Sequence, residues 1–168
     1  MPKGQSERKQ LFPVAVFDVR IPKRHIQRCI KPLFSGSHNG PEACFVFLNN
    51  EQVQNPKLSG TCDGLDDGEL VQELVHRHEK NWHETPTFFF TADKKFYKEN
   101  HKVLRGSDII LILVPLFNKN GAIPRKKVIH ILEATISPVL GRASHWYRKC
   151  GEKAISRLKA RFCPRNKI

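Results

Sequence analysis

The sequence has no paired cysteines, no long apolar segment and few acidic residues, and each absence removes a class of protein. Its five cysteines are odd in number and widely spaced, with no C-x-x-C pair. Neither a disulfide framework nor a zinc knuckle is therefore predicted, and we expect reduced, mostly buried thiols. No segment approaches the roughly 20 apolar residues that span a bilayer, and residues 1–10 lack a signal-peptide core. These absences predict a soluble cytoplasmic protein with no membrane partner.

Acidic residues are outnumbered by basic ones in the chain as a whole. There are 16 Asp and Glu against 29 Lys and Arg, which gives a net charge of +13. Residues 141–168 contain nine Lys and Arg and one acid, Glu152. A field this basic attracts polyanions, most often nucleic acid, or an acidic protein partner. The alternative is a basic tail that only keeps the chain soluble.

Four apolar runs carry the prediction of a β-sheet. They cover residues 13–18, 43–48, 87–91 and 107–115, and they show no polar alternation. Such runs are typical of strands covered on both faces, as in a parallel sheet flanked by helices. The predicted fold class is therefore α/β, with a mainly parallel central sheet of about four strands.

Apolar residues at helical spacing predict the helices between and after these strands. They indicate helices over residues 26–34, 70–80 and 128–140, the last of them ending near Pro138 or Gly141. Residues 97–105 form a polar stretch with no helix prediction, which gives the order β-α-β-α-β-β-α. Residues 146–162 indicate one or two basic amphipathic helices. The predicted organisation is a polar leader (1–12), a domain (13–140) and a basic helical C-terminal extension (141–168).

Acidic side chains follow two of the predicted strands. Asp18 ends the first run and Asp93 comes just after the third. Because the carboxyl ends of parallel strands meet at one edge, where ligands collect, both are candidate site residues. Asp67 and Glu69, at the start of the second helix, are placed to point back toward that edge. A capping box built on Asp66 and Glu69 explains the same cluster structurally, and an isolated Asp after a strand can simply open a turn.

Carboxylates gathered at one edge suit metal-assisted phosphodiester hydrolysis. In that chemistry they hold divalent ions that polarise a phosphate and lower the pKa of an attacking water. Oxygen ligands favour Mg²⁺ or Mn²⁺ over softer metals. The basic surface would attract the substrate, and its predicted nucleic-acid-binding residues are Arg142, Arg148, Lys149, Lys153, Arg157, Lys159 and Arg161.

Three short blocks resemble the signature of the PIN-like family, in particular its small prokaryotic proteins of toxin-antitoxin type. They are Phe17-Asp18 with residues 21–24, then residues 67–70, then residues 90–96. The resemblance implies a three-layer fold over roughly residues 14–140 and a Mg²⁺- or Mn²⁺-dependent endoribonuclease. It implies that Asp18, Asp67 and Asp93 are catalytic metal ligands, with Glu69 as an additional one. The expected partners are RNA, an acidic antitoxin and a second copy of the chain.

Two positions depart from that family pattern. Lys95 stands where the third block usually has a second acid, and Asn118 is a weak substitute for a fourth acid after the fourth strand. With three acids the site would bind metal less tightly, or the chain would be a non-catalytic relative. The competing hypothesis is therefore a nucleic-acid-binding module in which the acids are caps and turns. A phosphoacceptor domain of receiver type ranks last, because Asp18 is followed by Val19 and Arg20 rather than by an acid.

Overall fold

A parallel β-sheet forms the centre of the protein, and β1 lies inside it between two other strands. The computed structural model describes residues 12–37, 40–116 and 123–162. The strands have the order β2-β1-β3-β4, and every pair is parallel. They are β1 (Val14–Phe17), β2 (Cys44–Phe47), β3 (Thr87–Thr91) and β4 (Ile109–Leu113). The predicted four-stranded parallel sheet is confirmed.

The α-helices of the described ranges lie between and after these strands. In chain order they are α1 (Lys23–His25), α2 (Asp67–Arg77), α3 (Lys94–Gly106), α4 (Arg125–Cys150) and α5 (Lys153–Phe162). Short π and 3-10 turns extend them. After α1 the chain continues as a π turn (Ile26–Ile30) and a 3-10 turn (Lys31–Phe34), and after α2 as a π turn (His78–Trp82).

Side chains along each strand point alternately to the two faces of the sheet. The core is therefore divided into two layers, one on each face. Phe17 and Phe90 face the first layer, whereas Val16 and Phe89 face the second, as expected from the period of two along a strand. The first layer contains the turns after α1 together with α4 and α5. The second layer contains α2 and α3. The fold is therefore a three-layer α/β arrangement, as predicted.

Three of the sequence-based helix predictions differ from the structure. Helix α3 was missed because it is mostly polar, and only Phe96 and Leu104 along it are buried. Helix α4 does not end near Pro138 or Gly141 but continues to Cys150, with Pro138 exposed on its surface. The expected helix over residues 26–34 consists of short π and 3-10 turns.

Other expectations concern membranes, cysteines and the ends of the chain. Within the described ranges, none of the helices combines the length and the apolar character needed to cross a membrane. The four cysteines described are free, but only Cys62 is buried; Cys29 and Cys44 are exposed, so their expected burial was wrong. Asn118 and the polar leader up to residue 11 lie outside the described residues.

Candidate active site at the carboxyl edge of the sheet

The strand order reverses direction beside β1. The chain passes from β1 to β2 on one side, then crosses to β3 on the other side and continues outward to β4. The carboxyl ends of β1 and β3 therefore flank a topological switch point, the place where open α/β sheets bind ligands. Asp18 directly follows β1, and Asp93 comes two residues after β3. The fold brings these two acids to the same edge of the sheet, after two neighbouring strands.

A buried hydroxyl group joins the Asp18 carboxylate to the backbone of Asp93. Thr91, the last residue of β3, donates a hydrogen bond from Oγ1 to Asp18 Oδ2 at 2.7 Å. Thr91 Oγ1 also accepts a hydrogen bond from the backbone N–H of Asp93 at 3.1 Å. The other carboxylate oxygen of Asp18 accepts the N–H of Val19 at 2.8 Å. Because Asp18 is only 8% exposed and Thr91 fully buried, the Asp18 carboxylate is held in one orientation.

Burial raises the pKa of Asp18 above its ordinary value. The hydrogen bonds from Thr91 and Val19 oppose this rise, the negative charge of Asp93 adds to it, and the positive charge of Arg20 opposes it. The net rise means that the site holds negative charge at a cost. A cation bound between the two carboxylates would stabilise their ionised forms.

Asp93 is also the N-cap of α3. Its Oδ1 accepts a hydrogen bond from the N–H of Phe96 at 3.0 Å. The structural interpretation of this residue, as a helix cap after a strand, is therefore correct. The cap uses Oδ1, and Oδ2 lies outside this bond. Capping of α3 by Asp93 is therefore compatible with a ligand at Oδ2.

Asp67 and Glu69 lie in the first turn of α2. Asp66 Oδ1 accepts the N–H of Glu69 at 2.8 Å, and Glu69 Oε1 accepts the N–H of Asp66 at 3.1 Å. The capping box is therefore confirmed. Asp67 is exposed. Within the described ranges, no hydrogen bond or ion pair joins Asp67 or Glu69 to Asp18 or Asp93.

Sequence analysis missed Thr91 and Asn49 at this edge. Asn49 follows β2, and its Nδ2 donates a hydrogen bond to the backbone oxygen of Val19 at 2.6 Å. Its Oδ1 is buried and has no hydrogen-bond partner in the described part of the chain. A signal for both residues was present, because each is polar and stands at the carboxyl end of a strand that neighbours β1.

The oxygen atoms of this edge fit a hard divalent cation. Mg²⁺ is usually held by one or two carboxylates, and water and substrate phosphates complete its octahedron. Asp18 and Asp93 supply two carboxylates, and Asn49 Oδ1 is an unused carbonyl-type oxygen nearby in the fold. Among residues 12–37, 40–116 and 123–162, no group of three or more His, Cys, Asp or Glu side chains is placed to hold a metal ion. A metal site here would therefore depend on ligands from substrate and water.

Basic side chains also lie at this edge. Lys94, Lys95 and Lys98 line an open concavity on the first turns of α3, immediately after Asp93. Lysines at a helix N-terminus oppose the helix dipole, which favours acids there. Their position is instead suited to a phosphate backbone that passes Asp93.

The predicted nucleic-acid-binding residues of the C-terminal extension lie at the opposite, amino edge of the sheet. Three contacts establish this position. Ser144 Oγ accepts a hydrogen bond at 3.0 Å from the N–H of Glu42, a residue that precedes β2. Lys159 Nζ pairs with Asp108, just before β4, at 2.6 Å, and the Phe162 ring meets Phe88 near the start of β3. Lys159 is half-buried, and the remaining six are exposed: Arg142, Arg148, Lys149, Lys153, Arg157 and Arg161.

No protein-family model, no curated protein and no solved structure matches this chain. The resemblance to PIN-like proteins therefore rests on the three sequence blocks alone. What the chain does has to be argued from the geometry of the carboxyl edge.

Proposed function

We propose that the protein is a metal-dependent endoribonuclease with its active site at the carboxyl ends of β1 and β3. The observation that supports this proposal is the pair Asp18 and Asp93 at the switch point of the sheet, where Thr91 Oγ1 bonds the Asp18 carboxylate and the backbone N–H of Asp93. Two carboxylates with restrained geometry are the usual protein contribution to a magnesium site that acts on phosphate. The PIN-like resemblance points to RNA as the substrate.

Each residue of the edge has a distinct role in this proposal. Asp18 and Asp93 hold Mg²⁺ or Mn²⁺, which when bound polarises the scissile phosphate and lowers the pKa of a water molecule. Thr91 and the Val19 N–H orient the Asp18 carboxylate. Asp67 is a third candidate ligand on the sequence resemblance alone, whereas Glu69 already uses one oxygen in the capping box. The lysines at the start of α3 attract the RNA backbone.

The decisive experiment is cleavage of a labelled single-stranded RNA pool in Mg²⁺, Mn²⁺ or EDTA. We expect cleavage by the wild type in either metal, none in EDTA, and a loss of at least about 100-fold in Asp93→Asn, since a ligand carboxylate is removed. Asp66→Asn is the matched control. Both substitutions replace an N-cap Asp by Asn, which caps a helix equally well, so only the loss at Asp93 reports on metal binding.

A non-catalytic RNA-binding module is the competing function, and the exposed basic residues at the amino edge favour it. RNA binding without cleavage in any metal, together with no heat of Mg²⁺ or Mn²⁺ binding by calorimetry, would establish that function and reject the nuclease. Equal activity of Asp93→Asn and the wild type would place the chemistry elsewhere in the molecule.

A further inference from the structure

Two arginines at the amino edge are organised by one tryptophan ring. Arg142 Cζ lies 5.4 Å from the ring centre of Trp146, and Arg157 Cζ lies 5.5 Å from it. Arg142 comes from the turn of α4 before Trp146, whereas Arg157 comes from α5. The ring packs against the first core layer, so it is a fixed support for both guanidinium groups.

These two guanidinium groups have no acidic partner in the part of the chain that the structure describes. Both side chains are exposed, and Arg157 Nη1 donates only to the weak acceptor Cys150 Sγ at 3.5 Å. Lys159 differs, because its ion pair with Asp108 ties α5 to the sheet. A guanidinium held in place loses less entropy when it binds, and its planar fork of donors matches a phosphate.

We propose that Arg142 and Arg157, supported by Trp146, form a phosphate-binding clamp that acts as an RNA exosite. The clamp lies at the amino edge, so it is separated from Asp18 by at least the length of β1, which is roughly 13 Å at 3.3 Å per residue. An RNA strand that contacts both edges at once binds the clamp as well as the carboxyl edge, so the exosite adds affinity outside the active site. Naming RNA as the ligand rests on the proposed function.

An anionic membrane is the other polyanion of similar charge, and the structure disfavours it. Helices that lie on membranes insert an exposed apolar face into the lipid boundary. On α5 the apolar residues Ala154 and Leu158 are instead buried in the core. The large exposed hydrophobic side chains of the described ranges are Leu33 and Val103, and neither belongs to α4 or α5.

The test is RNA binding by fluorescence anisotropy in EDTA, where no cleavage occurs. The probes are single-stranded RNAs of about 8 and about 30 nucleotides, one within and one above the site size of about 4–16 nucleotides of a single binding groove. For Arg142→Gln/Arg157→Gln we expect the affinity for the longer RNA to fall about tenfold and the affinity for the shorter RNA to fall as well, since in EDTA the carboxyl edge holds no metal to attract phosphate. The slope of log K against log salt should flatten by about 1.4, the value for two single-strand phosphate contacts.

Two further variants separate a clamp from general charge. Lys80→Gln/Lys102→Gln removes the same charge from exposed lysines of the other helical layer and should leave the affinity near that of the wild type. Arg142→Lys/Arg157→Lys keeps the charge but loses the planar fork, so it should bind the longer RNA more weakly than the wild type. An equal loss of affinity in Arg142→Gln/Arg157→Gln and in Lys80→Gln/Lys102→Gln would overturn the clamp. So would an unchanged affinity in Arg142→Gln/Arg157→Gln.

The same variants distinguish this proposal from the nuclease itself. If the wild type cleaves the shorter RNA in Mg²⁺ but Arg142→Gln/Arg157→Gln binds the longer RNA with the affinity of the wild type, the nuclease stands and the exosite fails. If no RNA is cleaved but the arginine pair loses affinity for the longer one, the exosite stands without the nuclease. Co-sedimentation with phosphatidylserine vesicles that depends on the arginines, with RNA binding unaffected, would assign the surface to a membrane instead.

Discussion

At the scale of single residues, the Thr91 hydroxyl favours the ionised form of Asp18. Its hydrogen bond stabilises the ionised carboxylate and so opposes the rise in pKa caused by burial. Thr91→Val keeps the shape of the side chain but removes this bond, so the pKa of Asp18 should rise further. We expect metal-dependent cleavage and metal binding to require a higher pH in the variant than in the wild type. The measurement is the pH profile of both.

Thr87→Val is the matched control for this prediction. Thr87 is the first residue of the same strand, faces the same layer and is equally buried, but its Oγ1 contacts His78 Nδ1 at 2.9 Å at the amino edge. Both variants should lose about 1–3 kcal/mol of stability, because each leaves a buried polar atom without its partner. Only Thr91→Val should shift the pH profile. A shift of equal size in both variants would show that Thr91 acts through stability alone.

At the scale of elements, α2 contains a buried ion pair whose two members hold the long connection after β2 through further hydrogen bonds. Arg77 Nε donates to Glu73 Oε2 at 2.7 Å, and both side chains are almost completely buried. Glu73 also accepts the N–H groups of Gln54 and Asn55, and Arg77 Nη2 donates to the backbone oxygen of Gln52. One carboxylate and one guanidinium therefore hold residues 52–55 of this connection against α2.

This arrangement predicts acid sensitivity. Burial alone would raise the pKa of Glu73, but the bonds from Gln54, Arg77 and Asn55 outweigh it and lower the pKa below its ordinary 4.5. The stability contributed by the ionised carboxylate is therefore present above pH 4.5 and is lost as the pH falls through the folded pKa. Glu73→Gln should cost about 3 kcal/mol at pH 7 and progressively less, relative to the wild type, as the pH falls below 4.5. Denaturant unfolding across this range measures the difference.

Glu69→Gln, in the same helix, is the control for Glu73→Gln. Gln serves as well as Glu at the third position of a capping box, so the free energy of unfolding should change by less than about 0.5 kcal/mol. A loss at Glu73 that stays constant from pH 7 to pH 3 would mean that the charge of Glu73 does not contribute.

The elements show which parts of the fold the sequence determines locally. All four strands could be predicted, since runs such as residues 87–91 are buried on both faces and need no partner to be recognised. Helix α3 could not be predicted, because its two buried residues, Phe96 and Leu104, are too far apart to form a visible apolar stripe. The end of α4 was misplaced because packing of residues beyond Gly141 against the sheet outweighs the local effect of Pro138.

The candidate site was predictable only in part, for a related reason. Asp18 and Asp93 could be found because the end of an apolar run marks a strand end. Thr91 was overlooked because a β-branched residue inside such a run suits a strand on propensity alone. Asn49 gains its relevance from Val19, which lies beside it only because β1 and β2 pair.

At the scale of the whole molecule, the basic C-terminal segment is part of the same hydrophobic core as the sheet. Leu158 of α5 is fully buried in the first core layer, together with Phe88 and Ile136. We expect Leu158→Ala to cost about 2–5 kcal/mol, with the sheet and α5 unfolding in one cooperative transition. Leu33→Ala is the control, because Leu33 is 57% exposed and should change stability little. Two separate transitions for the wild type would show that α5 folds as an independent unit.

The position of β1 also determines when, during synthesis of the chain, the candidate site can form. Asp18 bonds to Thr91, a residue 73 positions later in the chain, and β1 pairs with β3 along its whole length. At 5–20 residues per second, the ribosome needs about 4–15 s to add the missing strand after Asp18 has been made. During that interval the growing chain contains β1 and β2 with one side of β1 unpaired. The two acids come together only after residue 93 has been synthesised, so no nascent fragment that ends before it contains the complete carboxyl edge.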